Sequence, residues 1–391
     1  MKILYVLNSS KYGGMETHVL DLVREMKKRG HDVFVWCPKG EMFGKYENDG
    51  ALVTEAYIRK DVDLEFIKNL RKFVNENEID IVHAHELKAV CNSLLACRKS
   101  KVKAVITHTH TPISEWQINS LKKFFDVKIY SYLVNKYSDA EIALTESKKK
   151  VKIKEGISEE KLVVIPNGLD MSGFEISDEK RAEYKKEIKS RFNIPEDAFI
   201  FGNMGRITRE KGHEILVKAF AYFLNFEISN EKKGNWKGKE NFYLLIAGGG
   251  ALEDEIRFLA KKLGVEKNVV ITGRFEDSEK IKYLSAFDIF VFPTLAEGFG
   301  IVLTESLSME IPTICSDLEV LKEVGDGFVS FFKTGDEKEL ADKMLNEYNK
   351  SRGNGRFFVS GAKEYVRENY SMEKFAESYE SLYGKLLEKK R

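Results

Sequence analysis

Cysteine is scarce in this chain: four residues in 391, at Cys37, Cys91, Cys97 and Cys315, with no CxxC pair among them. No disulfide framework or zinc ribbon follows from such spacing, and their apolar neighbourhoods read as buried, reduced thiols. A charge excess is also lacking. The 63 Lys and Arg against 62 Asp and Glu leave a net +1, which provides no global field for nucleic acid or an acidic polymer. No apolar run approaches the roughly 18 residues of a membrane span. The apolar start, residues 1–7, runs directly into a polar loop without a small-residue cleavage site, so it reads as a first strand rather than a secretory signal. There are no repeats or low-complexity tracts. These absences leave a soluble protein of a reducing compartment, expected in the cytoplasm, with no nucleic-acid partner.

What is present is ample core material, 43% apolar and 12% aromatic residues, in a chain longer than one hydrophobic core usually organises. Short apolar runs at 3–7, 32–36, 81–83, 103–107 and 141–145 alternate with longer segments of helical period. In residues 16–29, for example, Val19, Leu22, Val23 and Met26 fall three and four apart. The alternation restarts with strand candidates at 199–204, 243–247, 269–272, 289–292 and 313–315, and with helices near 214–223, 252–262, 277–285 and 303–308. Two successive units of this kind predict α/β architecture: two Rossmann-like, doubly wound domains facing across a cleft, with ligands beyond the carboxyl ends of the strands. The turn Ile165-Pro-Asn-Gly-Leu-Asp170 marks the boundary. The expected domains are 1–172 and 173–371, followed by an amphipathic tail helix at 372–391. Residues 225–241 read as an exposed inserted loop.

Several glycine-bearing loops fall between a strand and a helix. In Phe292-Pro-Thr-Leu-Ala-Glu-Gly-Phe-Gly-Ile-Val-Leu-Thr-Glu305, the N–H groups of Phe299, Gly300 and Ile301 are expected at a helix start, where phosphate or sugar hydroxyls bind. Glu297 and Glu305 suit hydroxyl recognition; the competing interpretation is a helix cap at Glu297 and a solvated Glu305. In Gly202-Asn-Met-Gly-Arg-Ile-Thr-Arg-Glu-Lys-Gly212, Gly205 opens the backbone while Arg206 and Lys211 can neutralise a diphosphate leaving group without a metal. A surface basic loop is the alternative. The Gly248-Gly-Gly250 triplet does not have GxGxxG spacing and disfavours a nicotinamide cofactor.

The first unit offers Gly13 and Gly14 before a helix, where a substrate can meet its N-terminus. It also has two HxH pairs, His83/His85 and His108/His110. Alternate residues of a strand share a face, so each pair could ligate, but no third ligand is evident, and no metal is expected. Asp61-Val-Asp63 resembles a DxD metal motif but lies in a charged, surface-like stretch. Residues 98–154 carry 13 Lys/Arg against 5 Asp/Glu. Within them, 120–137 mixes lysines with Leu121, Phe124, Phe125, Ile129 and Tyr132. This is either a core-facing helix with solvated lysines or a surface for anionic lipid.

Taken in order, Gly13-Gly14, Thr107-His-Thr-His110, the 165–170 turn, Gly205-Arg-Ile-Thr-Arg-Glu-Lys-Gly212 and the E-x7-E pair Glu297/Glu305 resemble the retaining GT-B glycosyltransferases of family 4, over nearly the whole chain. The resemblance implies a sugar moved from a nucleotide diphosphate, most commonly a UDP-sugar, to a glycan, lipid-linked or small-molecule acceptor in cell-surface polysaccharide or glycolipid synthesis. It implies that Arg206 and Lys211 hold the diphosphate, Glu297 the donor sugar and Glu305 the ribose. The backbone at Phe299, Gly300 and Ile301 would hold sugar and phosphate, Gly273-Arg274-Phe275 would bracket the base, and Gly205 would belong to the donor site. His110 would stand at the anomeric side and Gly14 near the diphosphate and acceptor, with Gly13 and His108 on the acceptor side. No cofactor is implied. Peripheral contact with the inner face of an anionic membrane is a further expectation from the basic segment. Other activities of the same fold are a sugar-nucleotide epimerase and a catalytically silent partner-binding module.

Overall fold

The computed structural model describes residues 1–231, 242–353 and 359–389. The chain divides into two compact units, residues 1–168 with 372–391, and residues 169–371.

The first unit is built on seven parallel strands: β1 (Lys2–Val6), β2 (Asp32–Cys37), β3 (Leu52–Glu55), β4 (Ile81–His85), β5 (Ala104–His108), β6 (Ala140–Ala143) and β7 (Leu162–Val164). Between them run α1 (Gly14–Lys28), α2 (Phe43–Asn48), α3 (Leu64–Glu76), α4 (Leu87–Cys97), α5 (Ser120–Tyr137) and α6 (Glu146–Lys154). The spatial order is β3-β2-β1-β4-β5-β6-β7. Because side chains alternate along a strand, Ile3 and Tyr5 enter one core layer while Leu4 and Val6 enter the other. A sheet buried on both faces needs runs that are apolar throughout, and this is why the strand runs do not alternate in polarity.

The second unit has six parallel strands: β8 (Phe199–Met204), β9 (Phe242–Ala247), β10 (Val269–Ile271), β11 (Ile289–Phe292), β12 (Thr313–Ser316) and β13 (Val329–Phe332), in the order β10-β9-β8-β11-β12-β13. Its helices are α7 (Asp178–Arg191), α8 (His213–Glu231), α9 (Glu253–Lys262), α10 (Lys280–Ala286), α11 (Ile301–Ser308), α12 (Glu319–Gly325), α13 (Glu337–Gly353) and α14 (Ala362–Tyr370). The tail helix α15 (Met372–Glu388) belongs to the first unit. There Phe375, Tyr379, Leu382, Tyr383 and Leu386 complete the core layer that contains α1.

The strands absent from the sequence expectation, β3, β7 and β13, are all sheet edges. An edge strand is partly solvated, so it is short and only partly apolar, as in Leu-Val-Thr-Glu at β3. The inserted-loop expectation at 225–241 is corrected in part: α8 continues to Glu231, and residues 232–241 lie outside the described residues. The helix near 277–285 divides into a 3-10 turn, Asp277–Glu279, and α10. All four cysteines are buried and unpaired with one another. No described helix is long and apolar enough to cross a membrane.

Candidate functional site

In a doubly wound sheet, the strand order reverses beside the first strand, and the loops leaving the carboxyl ends there splay apart. In the second unit that point lies between β8 and β11, whose following loops carry Arg206, Lys211 and Glu297. The loops are laced together by backbone contacts. The Gly205 N–H donates to the Ala247 carbonyl at 3.0 Å, and Leu295 N–H donates to the Glu210 carbonyl at 2.7 Å. A Cβ on Gly248 would stand 2.0 Å from the Gly205 carbonyl oxygen, so the loop after β9 can approach only without a side chain. Gly212 has φ +69, and a Cβ there would stand 2.0 Å from the Pro293 carbonyl oxygen.

This lacing brings Lys211 and Glu297 together: Lys211 Nζ donates to Glu297 Oε2 at 2.7 Å, with side chains 21% and 15% exposed. The ammonium keeps further protons for a second anion, and the carboxylate keeps lone pairs for hydroxyls. Arg206 is exposed at the start of the same loop, and Arg274 is exposed on the loop after β10. Gly300 occupies the cap position of α11 and Ile301 is its first residue. Phe299 is buried edge-on against Tyr370 at 5.4 Å. The first N–H groups of a helix have no partner within it and sit at the positive end of its dipole.

Both bland expectations for the glutamates are corrected. Glu297 is not the helix cap, since Gly300 holds that position, and Glu305 is not solvated. It is 2% exposed, accepts from Lys280 Nζ at 2.7 Å through Oε1, and has no partner for Oε2 among the described residues. Burial pushes its carboxyl above the usual range, against the opposing pull of Lys280. Nothing in the sequence marks Lys280 as its partner, because the pair joins side chains of two different helices, α10 and α11, 25 residues apart.

In the first unit the corresponding point lies between β1 and β4. Gly13 caps α1 in an extended conformation, and open space surrounds the position where Gly14 would carry a Cβ. One turn into α1, His18 reaches the histidines that end β4 and β5. His85 and His108 are register neighbours, and His110 lies two residues further on. His108 stacks on His110 at 3.9 Å, while His18 meets His108 and His110 edge-on at 5.0 and 4.8 Å. One ring nitrogen from each of His18, His85, His108 and His110 lies within 4.8 Å of the others. A further imidazole beside the HxH pairs thus comes from α1. His18 Nδ1 meets Asn167 Oδ1 at 2.7 Å, and His85 Nδ1 meets His110 Nε2 at 3.2 Å. Neither nitrogen of His108, nor Nε2 of His85, has a partner among the described residues. A buried unpaired polar group costs about 1–3 kcal/mol. Burial lowers the pKa of all four rings, that of His18 to about 4, so they are neutral at neutral pH.

Two supports around His110 escape sequence reasoning. Glu86, at φ +69, accepts from the His110 N–H at 3.2 Å, and burial pushes its carboxyl up to about 7. Lys152, fully buried, donates to Glu141 Oε1 at 2.5 Å and to the Thr109 and Ile142 carbonyls at 2.9 and 2.6 Å, fixing the residue between His108 and His110. In contrast, the DxD-like pair is structural. Asp63 caps α3 by accepting from the Phe66 N–H at 3.1 Å, and Asp61 pairs with Lys88 at 3.4 Å. On α5, Leu121, Phe124, Phe125, Ile129 and Tyr132 are each more than half exposed, whereas Tyr130, Leu133 and Val134 face the core.

Both sheet units match models of known protein families. Residues 12–172 match the model described as Glycosyltransferase Family 4, and residues 184–352 match Glycosyl transferases group 1. The O-antigen biosynthesis glycosyltransferase WclY of Escherichia coli is 23% identical, with 99% of each chain covered. An E. coli UDP-Gal:alpha-D-GlcNAc-diphosphoundecaprenol alpha-1,3-galactosyltransferase is 25% identical over 74% of this chain and 73% of its own. The Anabaena Alr3699/HepE structure in complex with UDP superposes with a TM-score of 0.83 at 18% identity, covering 98% of this chain and 100% of that one. With one family model on each sheet unit and a full-length relative of the same kind, the chain belongs to the group 1, family 4 glycosyltransferases of the GT-B fold.

Proposed function

We propose that this glycosyltransferase moves a hexose from a UDP-sugar to a glycan or lipid-linked acceptor, with retention at the anomeric carbon, in the synthesis of a cell-surface polysaccharide or glycolipid. The observation that carries the proposal is the Lys211–Glu297 pair at the carboxyl edge of the second sheet, with Arg206 exposed at the start of the loop that bears Lys211. A diphosphate placed there meets a guanidinium fork and an ammonium already oriented by a carboxylate. Charge developing on the leaving group is then stabilised without a metal. One such well-aimed donor is worth ~3 kcal/mol of barrier. The nucleotide complex of the Anabaena protein and the UDP-Gal donor named for the E. coli galactosyltransferase support UDP, and the latter's diphosphoundecaprenol acceptor supports a lipid-linked one.

Glu297 would accept from sugar hydroxyls and Glu305 Oε2 from the ribose. The N–H groups at Phe299, Gly300 and Ile301 would meet sugar and phosphate, Arg274 and Gly205 would flank the nucleotide, and His110 and Gly14 would approach the donor with Gly13 and His108 on the acceptor side. Glu297 is held by Lys211 and Glu305 by Lys280, so neither is a free carboxylate nucleophile. That favours attack on the donor's own face, with the departing phosphate oxygen taking the acceptor proton. The exposed apolar residues of α5, flanked by Lys122, Lys123 and Lys128, suit peripheral contact with an anionic membrane on the cytoplasmic side.

The test is the Arg206→Ala/Lys211→Ala double variant, assayed for transfer and UDP-sugar hydrolysis after a thermal-shift screen of sugar nucleotides has identified the donor. Loss of both activities with unchanged circular dichroism is expected. Near-normal turnover would overturn the assignment, and a donor returned as its epimer, seen by NMR without acceptor, would replace transfer with epimerisation.

A further inference from the structure

Five of the seven histidines of this chain gather at one end of the first sheet, and sugar transfer as described needs at most one or two of them. Four carry a geometry of their own. A tetrahedral zinc ion with nitrogen ligands at 2.0–2.1 Å separates those nitrogens by about 3.4 Å and the ring centres by about 5 Å. Among His18, His85, His108 and His110 the six centroid separations run from 3.9 to 5.9 Å, and the donor nitrogens lie within 4.8 Å of one another. Closing that difference requires the His108 and His110 rings, stacked at 3.9 Å, to separate. We propose that these four residues bind one zinc-class divalent cation, tying α1 to the carboxyl ends of β4 and β5 and to the loop bearing His110.

Three features of the surroundings fit an ion. Both nitrogens of His108 and Nε2 of His85 are buried without a partner among the described residues, and an ion would take Nε2 of His85 and one nitrogen of His108. Asn167 Oδ1 can only accept, so His18 Nδ1 carries the proton facing it, and Nε2 is left with its lone pair. This is the outer-shell support usual for a metal-bound histidine. Nε2 now lies 3.3 Å from the Tyr379 hydroxyl, which would turn aside on binding. Finally, carboxylates stand close by: Glu86 accepts from the His110 N–H, and Glu16 is buried on the same helix as His18. The nearest buried cation, Lys152, is already neutralised by Glu141. An all-imidazole set selects zinc, copper or nickel over magnesium or calcium. The proposal does not rest on the diphosphate chemistry of the second unit, but it shares His108 and His110 with the sugar-transfer reading, and an ion bound there would take their ring nitrogens away from donor and acceptor.

The experiment uses full-length protein without a histidine tag, stripped with a chelator and then titrated with Zn2+ and, as a spectroscopic probe, Co2+. One equivalent should bind with a rise in melting temperature. Cobalt should give the intense visible bands of a tetrahedral site, and X-ray absorption should find nitrogen and no sulfur around zinc. His108→Ala should weaken binding at least 100-fold and Asn167→Ala by about 10–100-fold, with circular dichroism reporting that each variant folds. No stoichiometric binding at micromolar zinc, an octahedral cobalt spectrum, sulfur in the shell (which would assign the ion to the cysteines), or binding unchanged in folded His108→Ala would each overturn the proposal. The wild-type spectra decide the matter even if both variants fail to fold.

Discussion

Replacing Lys152 with methionine isolates the support beneath His110. The lysine is 1% exposed and its partner Glu141 wholly buried. Its ammonium spends its three protons on Glu141 Oε1, the Thr109 carbonyl and the Ile142 carbonyl. Methionine keeps most of the apolar stem and removes the charge. Glu141 would then be a buried carboxylate held only by the Tyr130 hydroxyl at 2.9 Å and by longer contacts from Thr109. Breaking one side of such a pair costs about 3–5 kcal/mol, because the surviving charge stays desolvated. At about 2–4 °C per kcal/mol for a unit of this size, the melting temperature should fall by roughly 6–20 °C. Lys152→Met/Glu141→Gln leaves no charge buried and should recover at least about half of the loss, a coupling that a double-mutant cycle reads directly. Urea unfolding followed by tryptophan fluorescence suits the measurement, since Trp36 and Trp116 both lie in the first unit. A single-variant loss below about 1 kcal/mol, or a double variant less stable than either single one, would refute the reasoning.

Other perturbations test neighbouring features. Metal-free protein should lose stability as pH falls from 6.5 towards 4: the unfolded histidines gain protons in that window while the buried rings stay neutral. His18 alone, lowered to about 4, contributes about 3 kcal/mol across it, so flat denaturation midpoints between pH 7 and 5 would contradict the burial of the cluster. Gly212→Ala should destabilise the second unit by at least about 1–2 kcal/mol through its left-handed backbone. It should also weaken nucleotide binding, because the added Cβ would push the Lys211 and Glu297 loops apart, and unchanged UDP affinity would separate the loop contact from the site. Lys122→Glu/Lys123→Glu should abolish sedimentation with phosphatidylglycerol vesicles if α5 is the contact; undiminished sedimentation would remove that surface.

The two-unit α/β architecture was legible because strands buried on both faces must be apolar throughout, and because strand–helix alternation repeats. The edge strand β3 escaped because partial exposure leaves little apolar pattern, and β7 and β13 because three or four residues carry too short a run to stand out. Arg206, Lys211 and Glu297 could be singled out because glycine-bearing loops between strand and helix are where ligands meet backbone. Glu305 was visible, but its burial was not.

Sequence by itself determined the loops that carry functional side chains, since loop chemistry is local: glycine spacing, a helix start, a charge two residues past a strand. Tertiary structure decided the partnerships. The Lys211–Glu297 pair joins residues 86 apart, Lys280 of α10 reaches Glu305 of α11 across 25 residues of sequence, and His18 joins the two HxH pairs because its side chain reaches from α1 to the histidines that end β4 and β5. Such contacts follow from strand order, and no local pattern of residues encodes which loops a sheet will place side by side.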